Sequence, residues 1–183
     1  MDEQVRQAMA RWPNVPDMYG WLRLDRRGTW LLIDRGRPGF DEALHGAGSP
    51  ITSPPILDFI GRNYQPDAQG RWYWQNGPQR VFVDLDLAPL VLRVMDFGDT
   101  RGLATHTGFP VERIDAVQAS ADGDLLIATE HGPGVVHDLD LAQLDPDFGD
   151  GDTITTIGVG GARHAVTPAD ARTGGFVKRP RAG

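Results

Sequence analysis

The chain has 183 residues, of which 40% are hydrophobic, together with 23 glycines and 14 prolines. It is therefore long enough to bury a core, either as one domain or as two small ones, and it is rich in turns. It contains no cysteine, which excludes disulfides and cysteine-based zinc sites, and its net charge of -7 disfavours a nucleic-acid partner.

The charge is unevenly distributed along the chain. Residues 114–162 contain ten acidic side chains and no lysine or arginine, whereas residues 163–183 contain five basic side chains and one acidic one. We expect this basic tail either to fold back across the acidic half or to remain a frayed, solvated terminus. The basic residues form no stripe of the kind that binds nucleic acid.

No segment resembles a signal peptide or a membrane span. Residues 1–12 lack the basic region and apolar core of a secretory signal, and no window approaches the roughly eighteen consecutive apolar residues of a spanning helix. We therefore expect a soluble cytoplasmic protein with no membrane partner.

The N-terminal part of the chain predicts a short helix followed by a hairpin. Apolar residues recur at helical spacing over residues 5–12, and Pro13 ends the pattern. Within residues 19–34, apolar and polar side chains alternate on both sides of a turn at residues 25–28. The Asp-x-x-Gly spacing of that turn is typical of a β-hairpin.

A second helix and a second hairpin follow. Ser53 before two prolines predicts the N-cap of another short helix. The turn at residues 67–70 has the same Asp-x-x-Gly spacing as the first and leads into a strand with three aromatic residues, 72–74. A tight turn at residues 76–78 then reverses the chain along RVFVDLDL.

One segment of the sequence occurs in two similar copies. Residues 76–90 read NGPQRVFVDLDLAPL and residues 131–144 read HGPGVVHDLDLAQL, so that Asp84 corresponds to Asp138 and Val83 to His137. Each copy follows an Asp-Gly or Asp-x-x-Gly turn and a strand. We interpret this as an internal duplication of about thirty residues.

The predicted fold is α+β, with two related antiparallel β-meander units and a few short helices. We expect the first unit to span residues 1–95, with a helix, a hairpin, a second helix and a meander. The second unit, residues 96–183, repeats the meander, is acidic and ends in the basic tail.

The repeated acids are the first candidate site. In each copy, strand alternation places two carboxylates on one face, about 7 Å apart. Such pairs suit general acid and base chemistry or a hard divalent cation. The favoured alternative is an apolar face turned inward and the charged face turned towards water.

A second group of candidates surrounds the aromatic residues of the first half. Trp21, Trp30 or Tyr73 could line a groove, with Arg23 or Arg80 supplying polar contacts; the alternative is that the rings form the core. His137 differs from the valine of the other copy, which suggests either a site or a buried structural histidine. The predicted ligand-binding residues are Trp21, Arg23, Tyr73, Arg80, Asp84, His137 and Asp138.

Two loop-like segments resemble ligand motifs only in part. Residues 145–152 fail the EF-hand register, because the glycine comes one place late and the last ligand would be Thr156. Residues 157–164 offer three glycines, but Arg163 stands where a dinucleotide fingerprint needs glycine. The histidines lack zinc-ligand spacing, so we expect no metal and no cofactor.

The order of several landmarks resembles an uncharacterised proteobacterial family known as a domain of unknown function. They are GWLRLDRRGTW, GSPI, LDFIGRNY, DAQGRWYW and PQRVFVDLDLAP, from about Tyr19 to Leu90. The resemblance implies an α+β fold with internally repeated subdomains and a role in signalling or ligand sensing. Trp21 stands where the family commonly has an acid and Leu90 where it has phenylalanine, which indicates a related subgroup.

The sequence favours a non-enzymatic module that binds a small molecule or a protein in a cleft between the two repeats. One alternative is an enzyme that uses the repeated aspartates, with or without a divalent cation. Another is a scaffold whose acidic face binds a basic partner.

Overall fold

The structure is a computed structural model that describes residues 1–150, 153–169 and 174–182. Grouped by contacts, the chain forms two units. Unit 1 is Met1–Leu87 together with the segment that begins at Phe176, and unit 2 is Ala88–Gly175. The sequence analysis placed the boundary between the two units at residue 95. It stays a prediction that each unit folds as a separate domain.

The fold is mainly β, with 42% of residues in strands and 17% in helices, so the predicted α+β class is wrong. Helix α1 (Glu3–Arg11), helix α2 (Glu42–His45) and helix α3 (Pro54–Arg62) are all short. The first and third form where the sequence predicts them. Helices of this length depend on packing against other elements, and most of the regular structure is in the sheets.

Unit 1 contains a six-stranded sheet with the strand order β3-β2-β1-β6-β5-β4. The strands are β1 (Met18–Leu24), β2 (Trp30–Leu32), β3 (Ser49–Pro50), β4 (Tyr64–Pro66), β5 (Trp72–Asn76) and β6 (Gln79–Leu85). The central pair, β1 and β6, is parallel, which corrects the prediction of a purely antiparallel unit. Tight turns in a sequence reveal only the strand pairs that they join, and β1 and β6 are far apart in the chain.

Within its described residues, unit 2 contains a nine-stranded sheet ordered β13-β14-β15-β10-β11-β12-β7-β8-β9. The strands are β7 (Leu90–Phe97), β8 (Thr100–Thr105), β9 (Pro110–Val111), β10 (Ile114–Ala119), β11 (Leu125–Thr129), β12 (Gly132–Val136), β13 (Asp147–Phe148), β14 (Ile154–Val159) and β15 (Ala162–Pro168). Strands β7 to β12 have the same order as β1 to β6, with a parallel central pair, β7 and β12. An origin of the two sheets by duplication stays a prediction.

The predicted hairpin turns form, and their aspartates hold them. Asp25 Oδ1 accepts hydrogen bonds from the N–H groups of Arg27 and Thr29, both at 2.8 Å. Gly28 has a φ of 86°, in the left-handed region that favours glycine. Asp67 makes the same two bonds in the second hairpin, at 2.9 and 3.0 Å. The Asp-x-x-Gly signal therefore has a local cause.

The core of unit 1 lies on one face of its sheet, against helix α3. It is built from the buried side chains of Leu22, Leu24, Trp30, Ile60, Val81, Val83 and Leu85. Because side chains alternate along a strand, the other face of β1 and β6 carries Arg23, Phe82 and Asp84. Arg23, Arg80 and Asp84 therefore lie on the face opposite this core, whereas Trp30, which the sequence also suggested for the groove, is part of the core itself.

Candidate functional site

The repeated acidic segments have surroundings that differ from aspartate to aspartate. The side chains of Asp84 and Asp140 are 3% and 4% exposed, whereas those of Asp86 and Asp138 are 21% and 34% exposed. The prediction that both pairs face water is therefore wrong for Asp84 and Asp140. Arginines cover these carboxylates and supply the hydrogen bonds that water would otherwise make.

In both segments the second aspartate binds an arginine from the central strand beside it. Arg23 of β1 donates Nε and Nη2 to the two carboxylate oxygens of Asp86, each at 2.7 Å. Arg93 of β7 donates Nε to Asp140 at 2.6 Å, and the Val94 N–H donates to the same oxygen at 3.0 Å. Both aspartates thus tie their segment to the neighbouring central strand.

Two opposing effects set the pKa of Asp140. Burial raises the pKa, but the hydrogen bonds from the Arg93 side chain and the Val94 N–H outweigh burial, so that the pKa lies below its usual value. Asp140 is therefore a charged partner of Arg93 rather than a poised proton donor at neutral pH.

Asp84, the first aspartate of its segment, is bound by the C-terminal tail. Arg181 donates Nη1 to Oδ1 of Asp84 at 2.8 Å, and Arg179 Nη1 lies 3.3 Å from Oδ2. Arg179 Nη2 also lies 3.7 Å from Asp86. The described part of the tail therefore binds unit 1, where the sequence predicted either a contact with the acidic second half or a frayed terminus. A buried carboxylate needs a counter-charge more than solvated acids do.

His137 is buried at the start of a 3₁₀ helix, Asp138–Leu144. It is 6% exposed, and its Nδ1 accepts a hydrogen bond from the Leu139 N–H at 3.2 Å. The same nitrogen lies 3.1 Å from Asp138 Oδ1. These contacts give the imidazole a structural task, which is to cap the helix.

The structure also changes the alignment of the two copies at this point. The residues that close the two hairpins are Gln79 and Gly132. Counted from them, His137 corresponds to Asp84 and Val136 to Val83. The second copy therefore has one more residue before its second aspartate, and the predicted matches of Asp84 with Asp138 and of Val83 with His137 are wrong in this register.

At Tyr73, where the sequence predicts an aromatic groove, the structure has packed side chains. Tyr73 is 5% exposed, its ring centroid is 5.6 Å from that of Phe82, and the Arg80 guanidinium lies 4.9 Å from the Tyr73 centroid. Trp21 lies against Gly36, where a Cβ would come within 2.9 Å of the indole. The structure brings Tyr73 and Arg80 together, and Arg23 beside Asp86, while His137 and Asp138 are in unit 2.

Sequence reasoning missed a cavity of 430 Å³ in unit 2. Its apolar lining includes Leu144 and Val159, which are 1% and 8% exposed, and its polar lining includes Asp99, Arg101 and Asp145. The glycine-rich segment at residues 157–164 was a partial signal for it. The cavity was not predicted because it depends on the packing of β8 beside β14, and no local sequence pattern encodes that contact.

Backbone and side-chain bonds fix the edges of this cavity. The Gly160 N–H donates to the Arg101 carbonyl oxygen at 3.0 Å, which joins β8 to the turn between β14 and β15. Arg163 donates Nη1 to Asp145 Oδ2 at 2.6 Å and also binds Asp147. Hydrogen bonds from Thr156 and Arg163 lower the pKa of Asp147. The terminal nitrogens of Arg163 are thus already engaged by protein acceptors.

Arg101 is less engaged than Arg163. Its Nε donates to Asp96 at 3.2 Å, and among the described residues its two Nη groups have no protein acceptor. The side chain is 55% exposed. Arg101 is therefore the cationic group of the cavity with hydrogen-bond donors to offer a ligand.

Asp145, at the edge of the cavity, has a left-handed backbone. Its φ is 44°, and it is the one non-glycine residue with a positive φ in the described part of the chain. This conformation costs an L-residue roughly 1–2 kcal/mol, although aspartate tolerates it better than most. The bonds from Arg163 to the Asp145 carbonyl and carboxylate oxygens hold the strained turn in place.

The described ranges of the chain have neither a metal cluster nor a membrane-spanning helix. They contain no group of three or more histidine, aspartate or glutamate side chains placed to hold a metal ion. No helix in them is long and apolar enough to cross a membrane. Asp84, Asp86 and Asp140 are instead bound to arginine, and Asp138 Oδ1 accepts a hydrogen bond from the Leu139 N–H at 3.1 Å.

Two solved structures are similar to this chain. A DUF1285 family protein from Silicibacter pomeroyi DSS-3 has a TM-score of 0.53 and 17% identity, over 92% of this chain and 96% of that one. A DUF1285 family protein from Shewanella baltica OS155 has a TM-score of 0.47 and 12% identity, over 67% of this chain and 88% of that one. At 17% identity, the similarity to the Silicibacter pomeroyi protein shows a common fold and nothing about function.

No curated protein matches the chain significantly. The sequence resemblance to an uncharacterised domain of unknown function is confirmed at that coarse level. The model of the DUF2944 family, described as "Protein of unknown function (DUF2946)", matches residues 1–180, and the chain belongs to that family.

Proposed function

We propose that the chain is a non-enzymatic binding module that takes a small molecule with one anionic group into the cavity of unit 2. The observation that carries the proposal is the cavity itself. Its volume of 430 Å³ lies in the range typical of small-molecule sites, and its lining combines buried apolar side chains with a few charged groups.

The charges of the lining determine the class of ligand. Arg101 offers two Nη groups, which suit the two oxygens of a carboxylate or phosphate. Leu144 and Val159 provide an apolar surface for the body of the molecule. Asp99 and Asp145 also line the cavity and repel a second anionic group. A monoanion with an apolar body fits this arrangement best.

The same lining supports binding rather than catalysis. Asp145 accepts a hydrogen bond from Arg163, and Asp147 beside it has a lowered pKa. A carboxylate whose pKa is lowered, as that of Asp147 is by Thr156 and Arg163, is a poor general acid. The role in ligand sensing that the resemblance implies needs only a binding event, and the presence of this cavity supports that proposal. A common strand order in both sheets supports the further proposal that the units arose by duplication.

The proposal is tested with simple probes of the expected chemistry. Benzoate, hexanoate and phenyl phosphate are titrated into isotopically labelled protein, and the amide resonances of Gly160 and Gly161 are followed. A probe that binds should shift these resonances. At about one hundred times its Kd it should stabilise the fold by about 2.7 kcal/mol in a thermal-shift assay.

Two arginine variants separate site binding from surface attraction. Arg101→Ala should weaken the response at least about tenfold, because the anion loses its bidentate partner. Arg113→Ala is the matched control, since Arg113 is another exposed arginine of unit 2, paired with Asp115 and absent from the cavity lining. If no probe shifts the two glycine amides, or if Arg101→Ala binds as wild type does, the proposal is wrong.

A further inference from the structure

The C-terminal tail lies on unit 1 in the manner of a bound peptide. Phe176 packs against the core cluster of unit 1, and Pro180 is buried. Val177 and Lys178, between these two anchors, are exposed. Extended segments are recognised through main-chain hydrogen bonds and through pockets for some of their side chains, and Phe176 and Pro180 are the side chains of the tail that are covered.

Backbone bonds fix the register of the tail. The Val177 N–H donates to the Gly70 carbonyl oxygen at 2.9 Å, and the Leu85 N–H donates to the Lys178 carbonyl oxygen at 2.8 Å. Such main-chain bonds stabilise any extended segment of the right length. Specificity must therefore come from the side chains.

Charge supplies that specificity. Arg179 and Arg181, on either side of Pro180, bind Asp84, and Arg179 also approaches Asp86. The Asp84 side chain is 3% exposed, whereas the two arginine side chains are 52% and 57% exposed. The buried charge, Asp84, therefore belongs to the surface of unit 1 that receives the tail. The solvated charges, Arg179 and Arg181, belong to the tail, which is the segment able to dissociate.

We name the surface formed by Gly70, Asp84, Leu85 and Asp86 the tail groove. We propose that the tail groove is a recognition site for an extended basic segment of a partner protein with the pattern Phe-x-x-Arg-Pro-Arg. The tail of the chain occupies the groove as an intramolecular competitor. Residues 176–181 are the observed example of the ligand, and the two aspartates complement the two arginines.

The tail has a large entropic advantage over a partner segment, because it is tethered to the same chain. Its effective concentration is set by the connection between groove and tail, which here is the whole of unit 2, Ala88–Gly175. A free peptide must therefore compete against the tail in the full chain but not in a chain that lacks it. This difference makes the proposal measurable without knowledge of the partner.

The probe is a fluorescently labelled peptide with the sequence of residues 174–182, GGFVKRPRA, and the readout is fluorescence anisotropy. A chain that ends at Gly175 should bind the peptide, and the full chain should bind it at least about tenfold more weakly. Asp84→Asn in the shortened chain should reduce the affinity at least about tenfold. Asp138→Asn is the matched control and should leave it unchanged.

A second variant covers the case in which the shortened chain does not fold. Arg179→Ala combined with Arg181→Ala keeps Phe176 in place and weakens the tail alone, so that this full-length variant should bind the peptide more tightly than wild type. A scrambled peptide of the same composition should bind neither protein. The proposal is overturned if no folded variant binds better than wild type, or if the scrambled peptide binds equally well, which would indicate charge attraction alone.

Discussion

The sequence Asp-Leu-Asp-Leu occurs once in each unit and adopts two conformations. In unit 1 its first two residues form the end of strand β6. There Leu85 is 1% exposed, and its N–H donates to the Lys178 carbonyl oxygen of the tail. In unit 2 it starts a 3₁₀ helix, where Leu139 is 70% exposed. Identical side chains therefore do not determine the local backbone.

The difference follows from the partners that each copy finds. The tail satisfies the Leu85 N–H and the buried Asp84 carboxylate, which keeps the first copy extended. In the second copy His137 caps the helix and Gln143 donates to Asp140 at 3.2 Å. The corresponding Pro89 of the first copy has no side-chain amide. The conformation of such a short segment is set by contacts made outside it.

The two copies should differ most in the loss of folding stability when the first aspartate of each is replaced by asparagine. Asp84→Asn leaves a buried amide where two arginines bind, and we expect it to lower the free energy of unfolding by about 2–3 kcal/mol. Asp138→Asn acts at a partly exposed residue and should change it by less than about 0.5 kcal/mol. Urea denaturation of both variants measures the difference. Equal effects would mean that the two copies have the same energetic role.

The second aspartates should differ in their response to acid. The pKa of Asp140 is lowered by folding, so its contribution is complete above the unfolded pKa of about 3.9 and is lost as pH falls through the folded value. Wild type should exceed Asp140→Asn in stability by about 1–2 kcal/mol at neutral pH, with the gap closing below about pH 4. Acid titration of both proteins by circular dichroism tests this, and a gap that is constant with pH would contradict it.

Amide hydrogen exchange should reveal the dependence of the first copy on the tail. With Arg179→Ala and Arg181→Ala combined, the Leu85 amide should exchange about tenfold faster, because its acceptor on Lys178 is less firmly held. The Leu139 amide, which bonds to His137, should be unaffected and serves as the internal control. Unchanged exchange at Leu85 would show that the backbone bond does not depend on the arginines.

The smallest effect is expected at Gln143. Gln143→Ala removes one hydrogen bond to Asp140, which keeps its bonds from Arg93 and Val94. The free energy of unfolding should fall by about 0.5–1 kcal/mol in urea denaturation. A loss as large as that of Asp140→Asn would show that Gln143, rather than Arg93, is the main partner of the carboxylate.

The sequence was sufficient to predict those features that a few neighbouring residues determine. The turns at Asp25 and Asp67 were predicted correctly, because a side-chain oxygen and a glycine act within a few positions. The helix after Ser53 also forms as predicted, with proline in its first turn, although the Ser53 side chain makes no capping hydrogen bond. The α+β class was wrong, since the periodicity of a short helix says nothing about how much sheet surrounds it.

Features that depend on distant strands were not predictable in this way. Alternation suggested that Asp84 faces water, but the residues that cover it lie almost a hundred positions later. The cavity of unit 2 is formed by β8 together with β14 and β15, and only the glycines at 160 and 161 hinted at it. Tyr73 illustrates the same limit, because an aromatic residue has the same sequence pattern whether it lines a groove or packs against another ring, as Tyr73 packs against Phe82.

The contact between Arg181 and Asp84 spans 97 residues of chain, which has a consequence for synthesis. A ribosome that has released residues 1–87 has supplied every strand of the first sheet, yet the Asp84 carboxylate has no arginine from the tail to bind. That sheet must wait until all of unit 2 has been translated before the carboxylate is neutralised. Premature stop codons anywhere in unit 2 therefore yield a first sheet whose buried acid lacks its counter-charge, a defect that quality-control proteases are able to detect.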